Sequence, residues 1–404
     1  MKRWLILLLG MLANIAQGMA YAGSVISAPM LVHANITENL HKSHWAGIFT
    51  LSIVFLPLGM VTAGKLAERF SPRVPIFLGA VLYGSGMLVS AHATNYTMLC
   101  VSFGFMLSIG SGLAYGPIVA SAVRWFPDKK GLASGLVVGA LGFGPVLIAP
   151  LCAALLQHGW QITSLLSACG IFCLIAIGLA AFITSPPDGY TAHLNKLPQN
   201  TPQGGAPQRN NADLVWYEMI GTGSFWILFL LFFFGTAPGL MIISAASGIF
   251  RDIGHFDAQK AATLVAVLAA ANAFGRFLWG TVSDYIGRIN ALLLMFILSA
   301  AATFLLPMSA NPLMLVAVIF VIGTTYGGYL GLFPSFCAEM FGLKNMALNY
   351  AVLFIAFAAA ALAGPRLYAS FDKPLTAFYI AAALAFTGCV LTAVFGIVRG
   401  KSCR

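Results

Sequence analysis

Arg276 is a charged residue set well inside a long apolar segment, and Asn272 precedes it by four residues. Because residues four apart share one face of a helix, the two side chains can address the same ligand. A guanidinium donates two parallel hydrogen bonds to a carboxylate, and the amide can orient that fork or hold a hydroxyl or keto oxygen of the ligand. An arginine within a bilayer costs about 3 kcal/mol on insertion scales, so such residues tend to face the protein interior and serve function. The pair predicts a buried site for a small carboxylate, with snorkelling of Arg276 to the membrane surface as the alternative.

The composition places these residues in a membrane protein. Hydrophobic residues make up 60% of the chain, charged residues make up 8%, and the mean hydropathy is +0.90. Apolar stretches of about 20 residues recur along the whole length, and each can cross a hydrocarbon core roughly 30 Å thick as a helix. The alternation typical of membrane β-barrels is absent. We therefore predict an all-α integral membrane protein with the lipid bilayer as a partner.

Twelve such stretches can be distinguished, and we number them as spans one to twelve. Their predicted ranges are 4–31, 45–63, 74–93, 97–123, 132–156, 163–184, 224–249, 260–282, 289–308, 311–337, 348–368 and 375–398. Lys2 and Arg3 before an apolar stretch imitate a signal peptide, but the apolar character continues to Leu31, so we expect an uncleaved first span. Lysine and arginine concentrate in the loops on the side of both termini, which predicts cytoplasmic termini in a plasma, or cell inner, membrane. The net charge of +10 follows from this topology and does not support a nucleic-acid partner.

A polar connector, rich in Gln, Asn, Pro and Gly, divides six spans from six. We therefore predict an N-terminal six-helix half at 1–184, a cytoplasmic linker at 185–223 and a C-terminal six-helix half at 224–404. The halves also share a motif. Gly64-Lys65-Leu66-Ala67-Glu68-Arg69-Phe70 follows span two, and Gly280-Thr281-Val282-Ser283-Asp284-Tyr285-Ile286-Gly287-Arg288 follows span eight. Internal duplication of this kind is typical of transporters.

This repeated loop resembles the signature of the major facilitator superfamily, whose fold has twelve helices in two pseudo-symmetric six-helix halves. The resemblance covers the whole chain and implies gating roles for Glu68, Arg69, Arg73, Asp284 and Arg288. On sequence alone, a carboxylate at a helix end beside basic residues can form a charge cluster that latches the cytoplasmic side. Interfacial anchoring by the basic residues is the alternative. The first copy departs from the family pattern, because it has Glu68 where Asp is usual and Ser71 where Gly is usual.

A narrower resemblance rests on the run Arg124-Trp125-Phe126-Pro127-Asp128-Lys129-Lys130-Gly131-Leu132-Ala133-Ser134-Gly135, with Phe333-Pro334-Ser335 and Asn349-Tyr350 in the other half. It is similar to the branch of monocarboxylate porters and oxalate/formate antiporters. The resemblance implies that Arg276 holds the substrate carboxylate. It also places Phe357 where the oxalate antiporter has a lysine, which favours lactate-like or pyruvate-like substrates over dicarboxylates.

Aromatic residues are candidates for the rest of the cavity wall. Tyr115 lies in a glycine-rich stretch of span four, and Tyr326 and Tyr329 lie in a matching stretch of span ten. A buried phenol can donate a hydrogen bond to a carboxylate, while Phe354 and Phe357 in span eleven can contact a short methyl group. Ordinary packing is the alternative for each of them.

No span has an acidic residue near its middle that could bind a coupling proton, because all eleven carboxylates fall in loops or at span ends. Animal-type monocarboxylate porters pair an aspartate with the arginine, and Asn272 stands in its place here. We predict proton symport through Asp252 or Asp257, near the outer ends of spans seven and eight, or through a substrate that carries its own proton. Surface solvation of both aspartates is the alternative.

The sequence predicts no cofactor, no metal site and no enzymatic activity. All seven histidines lie in loops or near span ends, and the seven cysteines show no spacing typical of zinc ligands or disulfides. A multidrug exporter would need buried acidic residues, which the spans lack. We therefore predict a monomeric secondary active transporter for a small monocarboxylate that works by alternating access. An oxalate/formate-type antiporter and a carboxylate sensor without transport stay open as alternatives.

Overall fold

The computed structural model describes residues 2–36, 41–183, 185–186, 190, 213–254, 257–309, 311–371 and 374–401, and within them it contains helices and turns but no β-strand. The α-helices run Lys2–Gln17, Gly23–His33, His41–Val54, Leu56–Arg69, Arg73–Ala91, Tyr96–Leu99, Leu107–Trp125, Lys130–Gln157, Ile162–Leu179, Trp216–Ile220, Gly223–Gly254, Ala258–Ile286, Arg288–Leu305, Pro312–Phe341, Met346–Leu353, Ile355–Ala369 and Pro374–Lys401. The 3-10 helices run Gly18–Ala22, Ala180–Phe182 and Leu306–Met308, and Cys100–Met106 is π-helical.

Twelve helical segments in the described part of the chain are long and apolar enough to cross a membrane, which confirms the predicted number of spans. They run Arg3–Ala20, Gly47–Arg69, Arg73–Ala91, Tyr96–Trp125, Lys130–Gln157, Ile162–Phe182, Gly223–Ala246, Thr263–Ile286, Arg288–Met308, Pro312–Phe341, Met346–Tyr368 and Leu375–Arg399. The bounds differ from the predicted ones by a few residues, and most at span one.

Span one differs because its α-helix gives way to a 3-10 helix at Gly18–Ala22. Gly18 lies against span five at this point. A Cβ atom added to Gly18 would lie 2.5 Å from the carbonyl oxygen of Leu141 and 2.8 Å from the Cα of Gly144. Glycine therefore allows the two main chains to touch where the helix changes its geometry.

Span two is interrupted at Phe55, between the helices His41–Val54 and Leu56–Arg69. Pro57 lies in the first turn of the second helix. Proline has no N–H, so Pro57 cannot donate a hydrogen bond to the carbonyl four residues earlier, and its ring crowds that carbonyl. The missing hydrogen bond thus lies where the helix of span two is interrupted.

The chain forms two compact units. One comprises Met1–Trp125, Ala140–Pro187 and Asn345–Val352, and the other comprises Phe126–Gly139, Asp188–Lys344 and Leu353–Arg404. The first part of span five thus belongs with the C-terminal spans, and the first part of span eleven belongs with the N-terminal spans. Of the predicted linker at 185–223, the structure describes 185–186, 190 and 213–223, so the predicted halves and linker stay predictions.

Glycines explain why these two segments pack away from the rest of their spans. In the first unit, a Cβ added to Gly64 of span two would lie 2.7 Å from the Cα of Leu348. In the second unit, a Cβ added to Gly135 of span five would lie 2.6 Å from the carbonyl oxygen of Arg276. Real Cβ atoms do not approach main-chain atoms this closely, so only glycine permits these helix contacts.

Spans eight and ten pack with equal closeness. A Cβ added to Gly275 would lie 2.5 Å from the Cα of Thr324, and a Cβ added to Gly323 would lie 2.7 Å from the Cβ of Ala271. Gly327, one turn further along span ten, lies against the main chain of Asn272. Span eight is therefore fixed closely against span ten along the stretch that carries the predicted site.

We expect the substitution Gly275→Ala to lower the stability of the protein by about 1–3 kcal/mol, because the new methyl group overlaps the main chain of span ten. Thermal unfolding in detergent, followed by size-exclusion chromatography, measures this change. Gly178→Ala is the matched control, since a Cβ at Gly178 meets nothing within 4 Å. Equal melting temperatures for the two variants would contradict the packing argument.

Candidate functional site

The side chain of Arg276 lies inside the protein, with 6% of the residue exposed. It belongs to the helix Ala258–Ile286. Its Nη1 atom donates a hydrogen bond of 3.0 Å to the main-chain carbonyl of Val138 in span five. Its Nε atom donates a longer bond of 3.3 Å to Oδ1 of Asn272. Asn272 and Arg276 therefore share one helix face and touch each other, as their spacing requires.

The main chain around Arg276 is held on two sides by glycines. Gly135 of span five packs against the Arg276 carbonyl, and Gly331 of span ten packs against the same carbonyl group. Ser134 adds a further link, because its hydroxyl donates a 2.7 Å hydrogen bond to the carbonyl oxygen of Gly331. Three spans, five, eight and ten, are thereby joined around one arginine.

Arg276 has no ion pair with a carboxylate anywhere in the described part of the chain. Its partners are a main-chain carbonyl and an amide, and both are neutral acceptors. A buried guanidinium without a charged partner lacks the Coulomb energy that normally offsets its desolvation. Chemically, this arrangement suits the binding of one small anion.

The structure brings Phe354 and Phe357 together, with their ring centroids 4.8 Å apart. Both rings also contact Phe232 of span seven, at 5.9 Å and 6.3 Å between centroids. Phe232 in turn stacks on Phe333 of span ten at 4.2 Å. We call Phe232, Phe333, Phe354 and Phe357 the aromatic cluster. Neither Phe232 nor Phe333 is among the predicted cavity residues. Nothing in the local sequence separates Phe232 from the many other phenylalanines, and Phe333 has a sequence signal only through the run Phe333-Pro334-Ser335.

The three predicted tyrosines occupy different surroundings. The ring of Tyr326 lies over Gly239 of span seven, and the ring of Tyr329 lies between Gly235 and Phe296. Tyr329 is fully buried, with its hydroxyl beside Ser299 of span nine. Tyr115 is 3% exposed and belongs to the first compact unit. Their packing is thus described, and their roles toward a substrate stay predictions.

The second charged loop forms a connected charge cluster. Nη2 of Arg288 lies 2.6 Å from Oδ1 of Asp284 and 2.8 Å from Oε1 of Glu339, and Nε of Arg288 bonds the same Glu339 oxygen at 3.0 Å. Nη1 of Arg288 contacts the hydroxyl of Ser283. The carboxylate of Asp284 also accepts hydrogen bonds from the first amides of span five, those of Gly131 at 2.9 Å and Leu132 at 2.8 Å.

Glu339 is the member of this cluster that sequence reasoning missed. It lies near the end of span ten, 51 residues from Arg288. A usable signal was present, since Glu339 is the acidic residue within the otherwise apolar stretch Pro312–Phe341. An acidic residue at the end of a span is common. The sequence therefore indicates a role for Glu339 only if it is considered together with an arginine at the end of another span, here Arg288.

The first charged loop is arranged differently. Glu68 is exposed and lies within Coulomb range of Arg124 and Lys65. The guanidinium of Arg69 lies 5.4 Å from the ring centre of Phe70. The main-chain N–H of Arg73 donates to the hydroxyl of Ser71 at 3.1 Å. Glu68, Arg69 and Arg73 therefore form local contacts at the surface of the first unit.

The two aspartates predicted for proton coupling lie near each other in sequence. Asp257 caps the helix Ala258–Ile286 by accepting the Lys260 N–H at 2.8 Å, and its carboxylate lies 3.8 Å from the Lys260 ammonium. Both side chains of this ion pair are more than half exposed. Asp252 lies in the helix Gly223–Gly254, but its side chain is outside the described residues. Their roles in coupling stay predictions. No group of three or more His, Cys, Asp or Glu in the described part of the chain is placed to hold a metal ion.

Twelve apolar helices, a repeated charged loop and a buried unpaired cation are the features of a polytopic membrane transporter. Comparison with known proteins makes the class specific: residues 11–365 match the Major Facilitator Superfamily, and the chain belongs to this family. The predicted family and its twelve-helix fold are thereby confirmed.

Individual relatives include an oxalate:formate antiporter of Oxalobacter formigenes, 29% identical over 98% of this chain and 92% of that protein. Another is apicoplast pyruvate carrier 1 of Toxoplasma gondii, 25% identical over 81% of this chain and 68% of that protein. Among solved structures, the human organic anion transporter MFSD10 superposes with a TM-score of 0.73 at 13% identity. That alignment covers 96% of this chain and 99% of the other, which shows a shared fold.

We expect Arg288→Met to destabilise the protein by about 2–4 kcal/mol, because it leaves two carboxylates without their partner in a largely buried cluster. Lys130 lies within Coulomb range of both carboxylates, so the double variant Arg288→Met, Glu339→Gln leaves one carboxylate and one cation and is expected to recover part of this loss. Thermal stability in detergent measures both changes. Lys260→Met is the control, since its exposed pair with Asp257 contributes less than about 1 kcal/mol. A single variant as stable as wild type would contradict the importance of the cluster.

Proposed function

We propose that the protein is a secondary active transporter that moves a small monocarboxylate, lactate-like or pyruvate-like, by alternating access. The observation that carries the proposal is Arg276, a buried guanidinium whose partners are two neutral acceptors. A carboxylate supplies the negative charge that the described surroundings of Arg276 lack. Neutralisation of the arginine by the substrate lowers the cost of closing the protein around the loaded site.

Charge balance supports a substrate with one carboxylate. Arg288, the other well-buried arginine in the described part of the chain, is already paired with Asp284 and Glu339. A dicarboxylate bound at Arg276 would therefore keep one charge without a cation. Phe357 lies in the aromatic cluster, and the resemblance to oxalate antiporters places it where those proteins have a lysine. An apolar wall of this kind suits a methyl group.

An oxalate/formate-type antiporter is the second candidate function. It is supported by the relative from Oxalobacter formigenes, whose similarity extends over 98% of this chain. The pyruvate carrier of Toxoplasma gondii supports the monocarboxylate proposal at a lower identity. Both functions use the same arginine, and they differ in whether a second anion must leave when the first one enters.

The charge cluster supports a gating role. Asp284, Arg288 and Glu339 join spans eight, nine and ten, and the Asp284 carboxylate accepts the first amides of span five. A carboxylate at a helix N-terminus is stabilised by the free N–H groups and by the helix dipole. We propose that this cluster closes the cytoplasmic side of the transporter in a plasma membrane, with both termini cytoplasmic and the protein acting as a monomer.

Arg276→Ala is expected to abolish transport while the protein still reaches the membrane, because it removes the cation that holds the substrate. Arg276→Lys is expected to retain less than about one tenth of the activity, since an ammonium cannot form two parallel hydrogen bonds. Purified protein in liposomes, with an inward proton gradient and radiolabelled L-lactate inside or outside, measures the flux. Oxalate and formate serve as competitors.

Arg251→Ala is the matched control for this experiment, because Arg251 is an exposed arginine at the end of the helix Gly223–Gly254. Its uptake should equal that of wild type. Near-normal uptake by Arg276→Ala would refute the site. Uptake that appears only with internal formate would make the protein an antiporter, and binding without flux would make it a sensor.

We propose that a proton accompanies the substrate, either through Asp252 or Asp257 or as the proton of the acid itself. Asp257 has a structural task as a helix cap, which asparagine can also perform. We therefore expect the double variant Asp252→Asn, Asp257→Asn to show proton-driven uptake within about twofold of the wild-type rate. This is the result for a substrate that enters together with its own proton. Uptake at several external pH values checks this. Loss of the proton dependence, with exchange of labelled for unlabelled L-lactate preserved, would assign coupling to the aspartates.

A further inference from the structure

The three nitrogens of the Arg276 guanidinium are engaged unequally. Nη1 donates to the Val138 carbonyl, and Nε donates to Oδ1 of Asn272. Nη2 has no partner within the described residues. A carboxylate binds a guanidinium bidentately through Nη2 together with either Nε or Nη1. Nη1 has two N–H groups, so Val138 can stay bound to one of them, whereas Nε has a single N–H, and a carboxylate at the edge of Nε and Nη2 must replace Oδ1 of Asn272.

The two acceptors differ in how easily they can leave. The bond to Asn272 is 3.3 Å long and ends on a side-chain amide of the same helix, which can rotate away. The bond to Val138 is 3.0 Å long and ends on a main-chain carbonyl. That carbonyl is fixed, because Gly135, one turn earlier, packs its main chain against the Arg276 carbonyl. Displacing Asn272 requires only a side-chain rotation, whereas displacing Val138 requires movement of span five.

We infer that the Val138 main-chain carbonyl is a permanent part of the anion site. It holds Nη1 in place, and the substrate carboxylate takes the edge formed by Nε and Nη2, where it replaces Oδ1 of Asn272. The freed amide then has its N–H groups available to a hydroxyl or keto oxygen next to the carboxylate. This inference rests on the proposed function and adds a positioning group from span five to it.

A consequence for the transport cycle follows by linkage. If Val138 orients Arg276, anion affinity depends on the contact between the first part of span five, residues 130–139, and span eight. Linkage is reciprocal, so a bound anion must stabilise that same contact. The anion is then held firmly while span five lies against span eight, and its affinity falls when the two separate.

Two glycines of span five offer a matched pair of variants. A Cβ at Gly135 would lie 2.6 Å from the Arg276 carbonyl oxygen, so Gly135→Ala must push span five away from span eight. A Cβ at Gly139 would lie 3.5 Å from the Ala273 carbonyl oxygen and 3.8 Å from the Arg276 Cβ, which are ordinary contacts. Gly139→Ala therefore makes the same chemical change beside Val138 without moving the helix.

The first measurement is the dissociation constant of L-lactate and of pyruvate for the purified full-length protein, by isothermal titration calorimetry. We expect Gly135→Ala to weaken binding about tenfold, as for loss of one charge-assisted hydrogen bond, and Gly139→Ala to stay within about twofold of wild type. The melting temperature of each empty variant is measured alongside. A wild-type dissociation constant for Gly135→Ala overturns the assignment of Val138.

The second measurement does not depend on the folding of Gly135→Ala. Ser134 is fully buried between spans five and ten, with its hydroxyl 2.7 Å from the Gly331 carbonyl. In Ser134→Cys, alkylation of the new thiol is followed by mass spectrometry of the peptide that contains residue 134. We expect L-lactate to slow alkylation at least about threefold, through the linkage above. Faster alkylation with L-lactate would show that the anion displaces Val138, and would overturn the inference. Wild-type protein that binds neither acid overturns the proposed function as well, whereas intact wild-type binding confines a failure to the role of Val138.

Discussion

The structure depends on the need to keep one guanidinium inside an apolar protein. Arg276 is 6% exposed and has two neutral hydrogen-bond partners. Carbonyl and amide acceptors satisfy the N–H donors of the guanidinium without cancelling its charge. The close packing of spans five, eight and ten serves this need. Without a glycine at 135 facing the Arg276 carbonyl, span five could not bring a main-chain acceptor within reach of Nη1.

Features that follow from local periodicity could be predicted from the sequence. The number of spans depends on runs of apolar residues, and each run keeps its meaning without knowledge of its neighbours. The pairing of Asn272 with Arg276 is equally local, because four residues on a helix always bring two side chains to one face. The Val138 carbonyl could not be predicted, since every residue has a carbonyl and the contact joins positions 138 residues apart. The assignment of residues 126–139 and 345–352 to a different compact unit from their neighbours in sequence also depends on long-range packing, so the sequence could not predict it.

For the aromatic residues, sequence patterns do not distinguish residues that line a cavity from residues that only pack in the core. Tyr326 and Tyr329 drew attention because glycines surround them in span ten. The structure shows that the glycines which matter to their rings are Gly239 and Gly235 of span seven, where a missing side chain leaves room for each ring. A tyrosine beside glycines in sequence and a tyrosine packed onto a glycine in space are different situations. The aromatic cluster is likewise assembled from spans seven, ten and eleven, whose order in the sequence says nothing about their distance.

The two copies of the charged loop show how small changes decide whether a motif becomes a network. Gly287 adopts a φ of +85°, a conformation that suits glycine, and the next residue, Arg288, turns back to Asp284 four positions earlier. In the first copy, Ser71 stands at the glycine position, Pro72 follows it, and Arg73 lies five residues after Glu68. The arginine there no longer follows the carboxylate by one helical turn, and Glu68 lies exposed beside Arg124 and Lys65. Both copies place a carboxylate near basic residues at the end of a span, whereas the backbone turn that delivers an arginine onto this carboxylate is present in the second copy.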